Sequence, residues 1–355
     1  MRRASTSATV GSAATNLFAA LFFLMVVAGS TAMLARRLNE SAYAGESRER
    51  VRLLLDTELS AAIDQFGEDP TPASDSMSDP VQEWCNSRNI MISDISSRIA
   101  PNWVASDLLR LQGIARAVGA SDGAGEDLLL VLRQQRERSG FFSDIATGYG
   151  AIFPKTAHER YLTGFAYANV NLTDDAALRK LHEVRTSDYA SAQLFQAKIR
   201  ALRNEGRVVT EETLPEYLGA DHDRLYPVVN ALPWWNVNFL PLPILIAIIS
   251  SPEFGVVNPQ TVCDAIDTQR RTCEIGQEDL RSLVGLPAES LLYQYLGTTT
   301  WFWRIEIHSG CDSLSVVLCR LPPEWTPQSA QDSGPVGQVA GERRWFRVVS
   351  RRYSR

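Results

Sequence analysis

A stretch without any charged side chain occupies positions 4–35, between the pairs Arg2-Arg3 and Arg36-Arg37. Its apolar part runs from Leu17 to Ala28 and continues through Leu34. A helix rises ~1.5 Å per residue, so about 20 such residues cross the ~30 Å hydrocarbon layer of a bilayer. The segment therefore predicts one membrane crossing, and a chain that begins this way is not an ordinary cytoplasmic protein.

Charge is divided unevenly along the 355 residues. The net charge of −6 argues against a general nucleic-acid binder. Residues 1–37 carry four arginines and no acid, and residues 342–355 carry six arginines and one glutamate. The residues between them hold 25 bases and 40 acids, or −15. The overall net charge therefore describes no part of the chain well, since an acidic body lies between two basic ends.

Two interpretations of the apolar segment stand side by side. The first is a cleaved secretory signal, with basic Arg2-Arg3 and small residues at Ala28–Ser30 or Ser30–Ala32. The second is a retained anchor that continues into residues 36–66, which predict a helix without proline. This helix has an apolar stripe with helical spacing, formed by Val51, Leu54, Leu55, Leu59, Ile63 and Phe66.

The rest of the chain predicts an α+β protein. Residues 67–80 form a polar, proline-rich linker, and Asn89–Asp94 predicts a short strand. Helical patterns fill most of 104–295, and alternating patterns over 299–308, 314–321 and 344–351 predict a C-terminal antiparallel β-meander. Helices are predicted at 106–118, 126–138, Ala176–Val184, Ala190–Asn204, Thr213–Leu218 and Asp223–Leu232.

A short motif recurs inside the helical region. Ala168–Asn171 and Trp235–Asn238 both contain Asn-Val-Asn before a predicted helix, and Arg98–Trp103 is a poorer copy. Asparagine at such positions caps the following helix or closes an Asx turn. From the residues alone, a repeated turn without a function of its own is the preferred interpretation.

The N-terminus resembles that of type IV pilins and pseudopilins, in which a short basic leader ends in glycine. The resemblance makes Met1–Gly11 the leader and Ser12 the first mature residue, after cleavage by prepilin peptidase. Most members carry glutamate at the fifth mature position, where this chain has Asn16. That departure puts ordinary packing inside a filament in doubt, and it is similar to the K-type minor pseudopilin of type II secretion, which is thought to cap the tip.

The body of the chain is also similar to K-type minor pseudopilins, in which two Asn-x-Asn segments bracket an inserted helical domain. Arg98–Trp103 is a degraded first copy, and Asn236–Asn238 is a close second copy. Asn258–Arg271 and Gly276–Gly285 resemble the helix-hairpin unit of the family. The resemblance implies a single-pass inner-membrane protein with a periplasmic ectodomain, whose partners are prepilin peptidase, other minor pseudopilins and membrane lipid. Its expected domains are the leader 1–11, the membrane and pilin-like helix 12–66, the linker and strand 67–98, the helical domain 99–296 and the C-terminal strands 297–355.

The five cysteines are at positions 85, 263, 273, 311 and 319, and none belongs to a CxxC motif. An exported domain permits disulfides, and Cys263 with Cys273 is the nearest plausible pair if the chain turns back after its helix. Eight residues of strand would hold Cys311 and Cys319 ~26 Å apart. Buried free thiols are the alternative.

The sequence contains no HExxH or P-loop pattern, no catalytic residue is predicted, and the chain is not expected to be an enzyme. K-type relatives bind calcium, and the resemblance makes Ca²⁺ a candidate cofactor without assigned ligands. Clusters of hard oxygen donors are offered by Asp264, Asp267, Glu274, Glu278 and Asp279, or by Asp221 and Asp223. A single-pass or secreted periplasmic binding or scaffold protein with a conventional signal is the alternative function.

Overall fold

The computed structural model describes residues 49–69, 75–77, 79–100, 160–226, 228–320 and 346–354, with single positions between 25 and 37 and at 130 and 134. The chain forms two compact units, Met1–Glu58 and Leu59–Arg355. In the first unit the described positions are helical. Among the described residues, no helix combines the length and the apolar character that a membrane crossing needs. Gly11, Ser12, Asn16 and most of the uncharged stretch lie outside these residues.

The second unit opens with the end of a helix, α1, which covers 49–67. Leu59 and Phe66 of the predicted apolar stripe are buried, together with Ala62. The Phe66 ring lies 5.4 Å from the ring of Trp303 and 5.5 Å from that of Phe346. These aromatic contacts place the last turns of α1 on the face of a β-sheet.

That sheet has four antiparallel strands, which are neighbours in the order β1 (Ile90–Asp94), β6 (Phe302–Ser309), β7 (Asp312–Arg320) and β8 (Phe346–Ser354). The buried side chains of β6 alternate as its sequence predicts, because every second residue of a strand points to the same face. The prediction of an α+β protein with an antiparallel sheet is confirmed, and β1 joins the three predicted C-terminal strands as a fourth. A short helix, α2 (Pro80–Ser87), precedes β1.

The described residues between β1 and β6 form two copies of one helical unit. Each copy starts with a two-residue strand and Asn-Val-Asn, continues through four helices, and ends in a strand that pairs in parallel with the first. An offset of 67 residues relates the paired strands and the Asn-Val-Asn motifs of the two copies, while the later helices are shifted by a few residues. The first copy contains β2 (Ala168–Asn169), α3 (Asp175–Thr186), α4 (Tyr189–Asn204), α5 (Leu214–Leu218), α6 (His222–Leu225) and β3 (Val229–Asn230); the second contains β4 (Trp235–Asn236), α7 (Leu242–Ile249), α8 (Pro259–Gln269), α9 (Gln277–Val284), α10 (Leu292–Tyr295) and β5 (Leu296–Gly297).

The asparagines of the motif form equivalent hydrogen bonds in the two copies. The first asparagine accepts the backbone N–H of the second through its Oδ1, at 2.7 Å in one copy and 2.9 Å in the other. The side chain of Asn171 then bonds both backbone groups of Val209, each at 2.8 Å. Asn238 does the same with Ile275, at 3.1 and 2.9 Å. The predicted turn is confirmed, and it also fixes a distant segment in place.

A half-buried arginine completes each copy. Arg203 in the first and Arg270 in the second donate from their guanidinium groups to two backbone carbonyls, that of the central valine of Asn-Val-Asn and that of the second residue after the motif. Carbonyl groups at the start of a turn have no helical partner, so the charged donor stabilises them. The accepting carbonyls are those of Val170 and Thr173 in the first copy and of Val237 and Leu240 in the second.

Ile99 and Leu162 form a further parallel pair of the same kind. The Ile99 N–H donates to the Tyr161 carbonyl, and the Thr163 N–H donates to the Ile99 carbonyl, both at 2.8 Å. Arg98–Trp103, the poorer copy of the motif, begins at this pair. The helices predicted at 106–118 and 126–138 lie outside the described residues, apart from positions 130 and 134, which are helical.

Candidate functional site

Three buried aspartates converge near the start of β6 and the end of β7. Carboxylate oxygens of Asp69, Asp75 and Asp79 all lie within 4.8 Å of one another. Within the part of the chain that the structure describes, these three form the one group of at least three acidic, histidine or cysteine side chains that could hold a metal ion. All three belong to the proline-rich segment 67–80, which the sequence predicted as a linker.

Different parts of the fold position these carboxylates. Asp69 follows the end of α1, and Asp79 is the N-cap of α2, where its Oδ1 accepts the N–H of Val81 at 2.8 Å. A short polar residue with an extended backbone suits that N-cap position because it satisfies a helix N–H that has no other partner. Segment 67–80 therefore brings two helix ends to one place.

Asp75 is fixed by contacts on all sides. Its Oδ2 accepts the backbone N–H of Thr300 at 2.7 Å and the Nη1 of Arg320 at 3.0 Å. Its own N–H donates to the Thr298 carbonyl at 2.9 Å, and its carbonyl accepts from Nδ2 of Asn236 at 2.9 Å. Asn236 is the first asparagine of the second helical copy. Its hydrogen bond to the Asp75 carbonyl therefore links this copy to the carboxylate cluster.

The electrostatics of the cluster follow from burial. Burial raises the pKa of Asp75 to about 7, and Arg320 and the Thr300 N–H offset part of that rise. The negative charges of Asp69 and Asp79 raise the pKa further. Glu274 precedes Ile275, the residue that Asn238 binds. The pKa of Glu274 is also raised, mainly by burial and then by the charges of Asp79 and Asp69. A buried carboxyl group such as that of Asp75 is neutralised either by a proton or by a bound cation.

Hard carboxylate oxygens are the ligands that Ca²⁺ prefers, at ~2.4 Å from the ion. Two oxygens bound to one ion then lie at most ~4.8 Å apart, which the three aspartates satisfy. Among the acids that the sequence offered as calcium ligands, Glu274 has a pKa that the charges of this cluster raise.

The other acids that the sequence offered have separate partners. Asp267 forms ion pairs with Arg270 and Arg271, at 2.6 Å for the first. Asp279 accepts the Gly276 N–H at 3.1 Å and caps α9. Asp221 accepts from Ser191 at 3.0 Å and lies 3.4 Å from the His182 ring nitrogen. Within the described parts of the chain, no three of these acids come close enough together to hold one ion. Sequence reasoning missed Asp69, Asp75 and Asp79, whose only signal was three aspartates in one short polar segment.

All five cysteines are free thiols in the structure. The predicted bridge between Cys263 and Cys273 is not formed, because Cys263 points into the core of the second helical copy while Cys273 is exposed beyond the end of α8. Cys85 and Cys319 are also buried thiols. Cys319 lies within β7 and Cys311 in the turn before it, so the strand that was expected to separate them is present.

Taken together, these elements define an α+β protein in which tandem helical copies are attached to an antiparallel sheet beside a buried carboxylate cluster. A comparison with protein-family models finds no model that matches the chain, and a comparison with curated proteins finds no matching protein.

Proposed function

We propose that the protein is a minor pseudopilin that acts in assembly and at the tip of the type II secretion pseudopilus. The observation that carries the proposal is the packing of the last turns of α1 on an antiparallel sheet whose strands β1 and β6 are neighbours in space but are separated in sequence by the helical copies. An uncharged N-terminal segment followed by a helix and such a sheet is the pilin arrangement, and a helical insertion is the K-type variation.

In this proposal, residues 12–66 form one long helix whose first part is held in the inner membrane while the ectodomain lies in the periplasm. Prepilin peptidase cuts after Gly11, and Ser12 becomes the N-terminus. The protein acts by binding, because the helix joins it to other minor pseudopilins. Asn16 cannot supply the negative charge that pairs with the new N-terminus of a neighbour, so a further subunit does not add above it.

N-terminal sequencing of the mature protein tests this proposal. A mature chain that starts at Ser12 supports it, while a start at residue 31 or 33 supports a secreted protein with a conventional signal, and an intact Met1 supports a plain single-pass anchor. The Gly11→Val variant is expected to block cleavage, because the leader of pilin-like proteins ends in glycine. Gly29→Val, within the small residues Ala28–Ser30 of the alternative site, is the matched control and is expected to be cleaved normally.

The role of Asn16 is tested separately. The variant Asn16→Glu is expected to be cleaved normally but to enter the filament body, which lowers secretion and changes the number of tip complexes. Equal secretion and equal assembly of variant and parent would contradict the tip assignment while leaving the cleavage result intact.

A further inference from the structure

A buried histidine lies between the first two helices of the first helical copy. His182 is on α3, its side chain is 2% exposed, and its ring lies 5.3 Å from the ring of Phe195 on α4. Helix α3 begins at residue 175 and α7 of the second copy at residue 242, which is 67 positions later. With this offset the buried positions of the two helices match one to one: Ala177, Leu178, Leu181 and His182 in α3, and Ile244, Leu245, Ile248 and Ile249 in α7. His182 therefore takes the place of a buried isoleucine, so only the first copy has an ionisable group at this position.

The surroundings of the ring suit both of its charge states. Nε2 of His182 lies 3.4 Å from Oδ2 of Asp221, and Nδ1 lies 3.2 Å from Oγ1 of Thr186, which is also 2.9 Å from the His182 carbonyl. When the neutral ring carries its proton on Nε2, the N–H faces Asp221 and the Thr186 hydroxyl donates to Nδ1. When the ring is protonated, Nδ1–H donates to the Thr186 oxygen, and the hydroxyl donates to the carbonyl instead. The ring can therefore take up a proton while its neighbours stay the same.

The charged groups around His182 come from several elements. Burial lowers the pKa of His182 below its usual value of 6.5, and the negative charges of Asp221 and Asp188 offset part of that effect. Asp221 lies in the turn before α6, and Asp188 is the N-cap of α4. Other charged side chains on α3, α4 and α6 form ion pairs or are exposed: Lys180 pairs with Glu183, Arg200 and Arg203 with Asp175, and His222 with Asp223, while Arg185, Lys198 and Arg224 are exposed.

We propose that His182 makes the first helical copy sensitive to pH, because a proton taken up in mild acid places a buried charge between α3 and α4 and loosens their packing. The unfolded chain binds this proton at a higher pH than the folded protein does. The stability of the first copy is therefore complete above pH 6.5 and falls as the pH decreases from there. The second copy, with Ile249, keeps its packing. This proposal does not depend on the pseudopilin assignment, since it uses only the packing of α3 and the groups around one ring.

Urea unfolding of the full-length protein at about pH 7.5 and about pH 5, a range over which histidine changes its charge, tests the proposal. The variant His182→Ile carries the residue of the second copy, and its urea midpoint is expected to fall less than that of the parent between the two pH values. The control His308→Gln removes an exposed histidine from β6, and its midpoint is expected to fall as much as that of the parent. The contribution of Asp75 is common to the three proteins and cancels in this comparison.

Two measurements on the parent protein locate the effect without a variant. Hydrogen exchange, corrected for its intrinsic pH dependence, is expected to show that α3 and α4 lose protection in acid relative to α7 and α8. Histidine NMR is expected to show that the ring of His182 titrates below pH 6.5. Equal falls of the midpoint in the parent and in His182→Ile, equal losses of protection in the two copies, or a ring that titrates above pH 6.5 would overturn the proposal.

Discussion

Replacement of Asp75 by asparagine tests the carboxylate cluster most directly. The buried carboxyl of Asp75 has a pKa raised from 3.8 to about 7, because burial outweighs the favourable contacts with Arg320 and Thr300. Asparagine has nearly the same shape as a protonated aspartate, but it cannot ionise. The variant Asp75→Asn therefore removes the pH dependence that comes from this one group.

The sign and size of the effect follow from proton linkage. Below pH ~4 the carboxyl is protonated in both the folded and the unfolded chain, so its ionisation does not affect stability. Between pH 4 and 7 the unfolded chain releases the proton while the folded protein keeps it, and the free energy of unfolding falls as the pH rises. A pKa unit corresponds to ~1.36 kcal/mol, so a rise from 3.8 to about 7 lowers the stability by ~4 kcal/mol at neutral pH.

Urea unfolding of parent and variant, followed by tryptophan fluorescence at several pH values from 4 to 8, measures this effect. The difference in unfolding free energy between parent and variant is expected to fall by ~4 kcal/mol over that range. A difference that stays constant within ~1 kcal/mol would refute the reasoning, because Asp75 would then be ionised throughout and its ion pair with Arg320 would outweigh burial.

Calcium distinguishes the two ways in which the cluster can be neutralised. If Ca²⁺ replaces the proton, its addition at pH 7.5 stabilises the parent by ~2.7 kcal/mol at a hundredfold excess over the dissociation constant, and the variant by less. Equal midpoints with calcium and with a chelator would mean that protons alone neutralise the aspartates.

Three further substitutions test the helical copies through shifts of urea midpoints. Arg270→Met is expected to lower the free energy of unfolding by ~2–4 kcal/mol, because two backbone carbonyls lose a charged donor. The control is Arg200→Met, whose arginine side chain is 59% exposed, and it is expected to cost under ~1 kcal/mol. Equal costs would contradict the role of the half-buried Arg270. Asn238→Ala is expected to cost ~2–3 kcal/mol, since both backbone groups of its distant partner lose a hydrogen bond, and an unchanged midpoint would mean that water replaces the side chain. Gly297→Ala brings a Cβ within 2.7 Å of the Pro233 side chain and is expected to lower the stability by ~1–3 kcal/mol. The control Gly276→Ala has its nearest atom at 3.4 Å and is expected to change the stability by at most ~0.5 kcal/mol. Similar midpoints for the two variants would show that Pro233 moves aside.

Secondary structure with a strong periodic signal followed from the sequence. The strand expected at Asn89–Asp94 forms from Ile90 onward, and the helix expected at Ala190–Asn204 starts one residue earlier. The helix expected at Asp223–Leu232 was too long, because it ends at Leu225 and the chain then enters β3. β3 has only two residues, which is too few to show a period in the sequence. It is recognised as a strand only through its parallel pairing with Ala168–Asn169.

Comparison of the two helical copies by sequence reveals only part of their similarity. Between them the asparagines and the arginine are kept, but most helix positions differ, since any apolar residue of suitable size fills the core. The Asn-Val-Asn motif was visible, while the matching of Arg203 with Arg270 was not, because 30 or more residues separate each arginine from the carbonyls that it binds.

The sequence by itself determined the uncharged N-terminal segment, the division of charge into basic ends and an acidic body, and the main helices and strands, since each depends on local composition or on a short period. The tertiary structure alone decided that three aspartates of an apparent linker are buried together, that Asn236 joins them to the second helical copy, and that β8 forms the edge of the sheet. These features depend on contacts between residues far apart in the chain, and the burial that raises the pKa of Asp75 exists only after the chain has folded.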